Sequence, residues 1–121
     1  MNVGTTLRSH NEDPELHNVH VYLEGDTVFN LAMPFQGMTV DRRLDEPGTY
    51  EVRCDVHPEM LAFVVVDDDA RFARPDGEGR FMIEDVAAGT VTVVRLEPET
   101  GDRVELTVEV DEGGETVEVS F

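Results

Sequence analysis

Residues 48 to 66 constrain the fold more than any other part of this chain. Gly48-Thr49-Tyr50-Glu51-Val52-Arg53-Cys54 alternates, with Tyr50, Val52 and Cys54 on one face and Thr49, Glu51 and Arg53 on the other. A period of two is that of a half-buried strand, so Cys54 ends a strand pointing inward. Leu61-Ala62-Phe63-Val64-Val65-Val66 is then an apolar, β-rich run of strand length. Residues 54 to 60 therefore span two strands at one end of a sandwich. Upstream, Leu16 to Leu23 is a further candidate strand, which brings His17 to the same end.

The spanning loop reads Cys54-Asp55-Val56-His57-Pro58-Glu59-Met60 and holds the only cysteine of the chain. A thiolate, an imidazole and a thioether at three-residue spacings form a soft-ligand set that lacks one imidazole, and His17 in Leu16-His17-Asn18-Val19 can supply it. Two His and one Cys with a weak axial Met is the geometry of mononuclear type 1 copper, a metal that must be held both as Cu(I) and as Cu(II). Zinc competes less well, because its structural sites use Cys, His or carboxylate and Met is a poor donor to it. The single Cys excludes a binuclear centre bridged by two thiolates. By itself, Cys-x-x-His is a weak signal: a lone Cys is commonly a small buried hydrophobe and a Met after a turn is commonly core filler. The strand, loop, strand context adds the weight.

Several pieces in order carry a family resemblance. They are Val3-Gly4-Thr5-Thr6 opening a strand, Asn11-Glu12-Asp13-Pro14 before His17-Asn18, Glu46-Pro47-Gly48-Thr49-Tyr50 before the Cys strand, and the Cys-x-x-His-Pro-x-Met loop. Residues 3 to 66 resemble a cupredoxin of the plastocyanin and amicyanin type, with the loop spacing of amicyanins. The resemblance implies an all-β, Greek-key cupredoxin-like β-sandwich over residues 1–67. It also implies one copper per chain, with His17, Cys54 and His57 as equatorial ligands and Met60 as the axial one, and Asn18 bracing the ligand-loop backbone near the sulfur. His20 is three residues from His17, so on a strand only one of the two faces the metal, and the family pattern selects His17. His10 reads as a solvated residue of a polar loop. Met33 and Met38 lie around Leu31-Ala32-Met33-Pro34-Phe35, which reads as loop packing.

Carriers of this type are generally exported, so the resemblance implies an extracytoplasmic setting, periplasmic or secreted. The chain has no positively charged, apolar leader and no apolar run of transmembrane length. The resemblance usually begins one strand before Val3. Met1 is therefore expected to mark an artificial start, a processed or trimmed chain, or a misplaced start codon, and the strand next to a missing edge strand is expected to be exposed or paired with something else.

No helix is expected anywhere. After Asp67-Asp68-Asp69 the pattern resumes at Ala70 to Arg74, turns at Pro75-Asp76-Gly77-Glu78-Gly79, and continues with strands at Arg80 to Glu84 and Gly89 to Leu96. Val104, Leu106, Val108 and Val110 alternate with polar residues, a Gly113-Gly114 turn follows, and a last strand presents Val117, Val119 and Phe121 on one face. Asp76-Gly77-Glu78-Gly79-Arg80-Phe81-Met82-Ile83 with Val86-Ala87-Ala88-Gly89-Thr90-Val91 resembles the carboxypeptidase-regulatory or transthyretin-like signature. That resemblance implies a small C-terminal β-sandwich extension over residues 68–121 with no catalytic group. A segment of about 54 residues is marginal alone, so it is expected to pack against the copper half.

Acidic residues number 27 against nine basic ones, and every basic one is Arg. Residues 1–67 hold twelve acids and four Arg, and residues 68–121 fifteen acids and five Arg. Equal acidity in both halves points to a general surface property, such as adaptation to high salt, with steering toward a basic partner at low salt. Nucleic-acid binding is disfavoured because there is no basic patch. The expected function is one-electron exchange between a redox donor and a redox acceptor protein, with no substrate turned over, so the chain is not expected to be an enzyme. The electron is expected to leave by the His57 ring edge, beside Pro58. The alternatives are a copper-binding or storage protein, and a structural or adhesive β module of a secreted assembly.

Overall fold

The computed structural model describes residues 1–113 and 116–121. All regular elements among them are strands: β1 (Thr5–His10), β2 (His17–Leu23), β3 (Asp26–Met33), β4 (Thr39–Leu44), β5 (Gly48–Arg53), β6 (Leu61–Val66), β7 (Gly89–Leu96) and β8 (Arg103–Val110). They fall into two compact units, Met1–Asp68 and Asp69–Phe121. The all-β class is that expected from alternation and from the lack of any helical period. None of the described segments is a helix long and apolar enough to cross a membrane.

In the first unit β1 pairs with β4, from Thr5 opposite Leu44 to His10 opposite Thr39. A second sheet has the order β3-β2-β5-β6, antiparallel throughout. After the β2–β3 hairpin the chain crosses to the other sheet as β4 and returns as β5 beside β2, which is the Greek-key connection. The inner faces meet around Val19, Val21, Met33, Tyr50 and Val66 from the larger sheet and Leu44 from β4, with Leu7 and Val40 packed against them. Each fully buried aliphatic side chain of this kind contributes roughly 1.5–3 kcal/mol by leaving water.

This topology fixes where the ligand-type residues gather. β2 begins at His17, β5 ends at Arg53, and β6 begins at Leu61. Arg53 is opposite both His20 on β2 and Leu61 on β6. Continuing past Arg53, the chain runs antiparallel back along the start of β2, so Cys54 comes to lie beside Asn18.

Two local expectations are corrected, and one strand is added to those expected. His10 is the last residue of β1, not part of a loop, and its Nδ1 lies 3.0 Å from Thr39 Oγ1. Leu31, Ala32 and Met33 belong to β3, with Met33 buried in the core, whereas Phe35 projects into solvent. Phe29, Leu31 and Met33 keep the two-residue period, but Val28 on the other face is apolar too, which blurs it. β4 went unanticipated because Asp41-Arg42-Arg43 interrupts the apolar alternation between Val40 and Leu44.

In the second unit β7 and β8 form one antiparallel ladder, from Gly89 opposite Val110 to Leu96 opposite Arg103. The expected turn at 75–79 is present: Asp76 Oδ1 accepts from the backbone N–H of Glu78 and of Arg80, each at 2.9 Å. The runs 70–74, 80–84 and 116–121, expected as strands, pair with no ladder among the described residues. Alternation marks a segment that is extended and half-covered, and a ring contact can supply that cover without a ladder. Phe81 and Phe121 are 6.4 Å apart between centroids, and Arg95 lies over Phe121. Of the expected Gly113-Gly114 turn, Gly114 lies outside the described residues.

Tyr50 shows how tightly the first unit is closed. Its ring is 1% exposed, and its hydroxyl donates to the Glu46 carbonyl at 2.8 Å. Tyr50→Phe removes that donor and leaves the carbonyl without it, at a cost of about 1–3 kcal/mol. The expected outcome in urea unfolding is a lower midpoint with an unchanged slope.

Candidate metal centre

Three ligand-type side chains converge at the end of the first unit. Cys54 Sγ lies 3.7 Å from His17 Nδ1 and 3.6 Å from His57 Nδ1. The two imidazoles are 4.7 Å apart between centroids, tilted by 49°, and ligand atoms of all three residues fall within 4.8 Å of one another. His17 arrives on the first residue of β2, Cys54 from the end of β5, and His57 from the loop to β6. Met60 closes that loop, its N–H donating to the His57 carbonyl at 2.9 Å. The Met60 side chain lines the same cleft as His17 and Cys54 but remains 45% exposed.

Asn18 joins β2 to the loop at three points. Its N–H points at Cys54 Sγ at 3.5 Å, its Oδ1 accepts from the Asp55 N–H at 2.6 Å, and its Nδ2 donates to Asp55 Oδ2 at 2.8 Å. Asn30 on β3 accepts from the same Nδ2 at 2.8 Å. His20, on the other face of β2, takes no part in the cluster. Its Nδ1 is 3.0 Å from Asp55 Oδ2 and its Nε2 2.7 Å from Thr27 Oγ1, and its ring stacks on Tyr22. Among the other residues weighed from the sequence, His10 lines the cleft at its rim while Met33 closes its floor from the core.

The electrostatics favour the ligand form of the cysteine. Burial alone raises the Cys54 thiol, yet the Asn18 and His57 N–H groups and the two imidazoles outweigh it and bring the pKa down to about 6. A thiolate is the species that binds metal. The His17 pKa is raised, first by Asp13 and then by Cys54. That of His57 is raised chiefly by Cys54.

Two acidic residues escaped the sequence reading. Both Asp13 carboxylate oxygens face His17 Nε2, at 2.8 and 2.9 Å, and Glu15 Oε2 lies 3.2 Å from His57 Nε2. They stand on a loop anchored by Asn11, a polar residue only 3% exposed. Asn11 Nδ2 donates to the Met33 and Glu15 carbonyls at 2.8 and 3.0 Å, and its Oδ1 accepts from the Asp13 N–H at 3.1 Å. The available signal was the spacing of Asp13, Glu15 and His17 at every second residue, which in an Asn- and Pro-containing loop reads first as solvated turn chemistry.

No family model matches the chain, and no curated protein does. Among solved structures the chain is similar to a novel purple cupredoxin from Nitrosopumilus maritimus. The identity is 28%, over 55% of this chain and 74% of that one, with a TM-score of 0.49.

With the metal-free protein, the ultraviolet absorbance of the Cys54 thiolate is expected to titrate near pH 6 rather than 9. Because the pKa is lowered, the thiolate persists above that midpoint and is lost as pH falls through it. Asn18→Ala keeps the backbone donor but unties the loop, and is expected to move the midpoint upward. An unchanged midpoint would mean that the Asn18 side chain does not hold the sulfur in place.

Proposed function

We propose that the chain is a one-electron carrier of the cupredoxin kind, whose first unit binds one copper ion through His17, Cys54 and His57 with Met60 as the axial donor. The observation that carries it is the pair of sulfur-to-nitrogen separations, 3.6 and 3.7 Å. A metal about 2.0–2.1 Å from nitrogen and about 2.3 Å from sulfur, in trigonal or tetrahedral geometry, requires about 3.5–3.8 Å between those donors. Donor chemistry narrows the choice of metal: thiolate with two imidazoles and a cleft-lining thioether suits copper better than zinc. Copper would supply a one-electron couple; the chain's own contribution is to hold the donors so that they barely move between oxidation states.

Of the two rings, His57 is the more exposed, 24% of its side chain against 12% for His17. It is therefore the edge that a redox partner can approach, and the protein's excess of acid favours a basic partner at low ionic strength. An extracytoplasmic setting goes with this reading. The second unit we read as a carboxypeptidase-regulatory-like β accessory.

Titrating the full chain with Cu(II) tests the function. The expected result is one equivalent bound with an intense visible thiolate-to-copper band, abolished by Cys54→Ser while the far-ultraviolet dichroism stays that of a β protein. Met60→Leu is expected to keep the colour and raise the reduction potential, because a weak donor to Cu(II) is lost. Stoichiometric but colourless binding turns the assignment to copper storage, and no binding overturns it.

A further inference from the structure

The outer nitrogens of both metal-facing imidazoles end on carboxylates of one short loop. We propose that Asp13 and Glu15 are positioning residues, each clamping the Nε2–H of one of those rings so that its Nδ1 is aimed at the metal, and together holding the reduction potential down. This rests on the copper reading above.

The geometry is reciprocal. His17 has Nε2 between the two oxygens of Asp13 at 2.8 and 2.9 Å and Nδ1 3.7 Å from Cys54 Sγ. His57 has Nε2 3.2 Å from Glu15 Oε2 and Nδ1 3.6 Å from the same sulfur. A carboxylate on one ring nitrogen fixes the proton there, which leaves the lone pair of the other for the metal and makes it more basic. Sequence spacing makes the arrangement possible: residues 13, 15 and 17 run into the start of β2, and Asn11 pins the loop from beneath through the Met33 carbonyl. Asp13 Oδ1 also accepts from the Glu15 N–H at 3.1 Å, so the two clamps are set by one turn.

The charge has a direction. A nearby anion stabilises the more positive metal state, so these carboxylates favour Cu(II) over Cu(I) and lower the potential. The two are unequal. Asp13 makes two short contacts to the less exposed ring, whereas Glu15 makes one longer contact and its side chain is 68% exposed. Solvent screens exposed pairs most, so Asp13 carries the larger share.

The test uses the full chain with three substitutions: Asp13→Asn, Glu15→Gln and, as a control for charge, Glu12→Gln. Glu12 stands on the same loop and holds Gln36 through its backbone carbonyl. Asn at position 13 keeps an acceptor for the Glu15 N–H, so the loop turn is retained. Asp13→Asn is expected to keep the visible band, weaken Cu(II) binding about 10-fold or more, and weaken Cu(I) binding less. Each tenfold of that difference raises the potential by about 59 mV. Glu15→Gln is expected to shift it the same way by less, and Glu12→Gln least.

Zn(II) affinity, measured by competition with a chromophoric chelator, is read in parallel and is expected to fall about 10-fold in Asp13→Asn. That arm does not depend on copper. A wild-type protein that takes up Zn(II) but gives no charge-transfer band sinks the copper reading while the clamps are still tested. Affinities and potentials in Asp13→Asn and Glu15→Gln that match those of Glu12→Gln overturn the clamps even where the protein is coloured. Should Asp13→Asn fail to fold, Glu15→Gln against Glu12→Gln decides.

Discussion

Asn18 ties the strand that brings one imidazole to the loop that brings the sulfur and the other imidazole, and the rest of the site depends on that tie. Backbone N–H to sulfur at 3.5 Å, side-chain oxygen to the Asp55 N–H at 2.6 Å and side-chain nitrogen to Asp55 Oδ2 at 2.8 Å hold Cys54 and the residue that follows it. Individually such bonds are worth about 0.5–1.5 kcal/mol net. Jointly they decide where the sulfur sits, because Cys54 has left the β5 ladder and no sheet pairing holds it. The position also relies on the sandwich below. Val19, the next residue on β2, and Tyr50 on β5 are both buried, so neither strand can slide without moving core side chains.

Two opposing effects act on that sulfur. Removal from water favours the neutral thiol, while donors aimed at it favour the thiolate, and the donors win because four of them, the Asn18 and His57 N–H groups and the two imidazoles, converge on one atom. Each imidazole that stabilises the thiolate is in turn stabilised as a cation by it. The cluster is therefore a network of compensated charge before any metal arrives. A metal held by these three side chains would displace protons from them, which would link its uptake to proton release. With 27 acids against nine basic residues, the surface attracts cations generally, but only over roughly a Debye length of 8–10 Å at ordinary salt.

How much of this could be read from the sequence follows from how locally each feature is encoded. β5, the ligand loop and β6 are written in consecutive residues: an alternating run, a turn with Pro58, an apolar run. Cys54 and His57 were legible because a three-residue spacing on one loop needs no tertiary knowledge. His17 was not fixed by spacing. His20 is an equally good imidazole until the register of β2 against β5 is known, and the family resemblance made the choice. β3 and β4 were obscured by apolar residues on the outward face and by consecutive charges. Asp13 and Glu15 were illegible for a different reason: an exposed acid in an Asn-Pro loop is ordinary, and only folding reveals which nitrogen it meets. In the second unit, the extended runs around Phe81 and Phe121 alternate as strands do but are covered by ring contacts instead of ladders.

β2 grips the loop from both of its faces, so this one strand orders the whole His17, Cys54 and His57 cluster. On the inner face His17 and the Asn18 N–H address the sulfur. On the outer face His20 reaches the Asp55 carboxylate at 3.0 Å, and is itself fixed by Thr27 and by stacking on Tyr22. Asp55 is therefore held through its backbone by Asn18 and through its side chain by Asn18 and His20 together. A residue fixed at both backbone and side chain has already lost most of its conformational freedom, worth roughly 1–2 kcal/mol for the backbone alone. That entropy is surrendered during folding, when the hydrophobic core drives the process, and not at the moment of metal binding. The consequence is that the positions of the two imidazoles and the thiolate are a property of the sandwich, so a metal held there would meet the same donor geometry in either oxidation state.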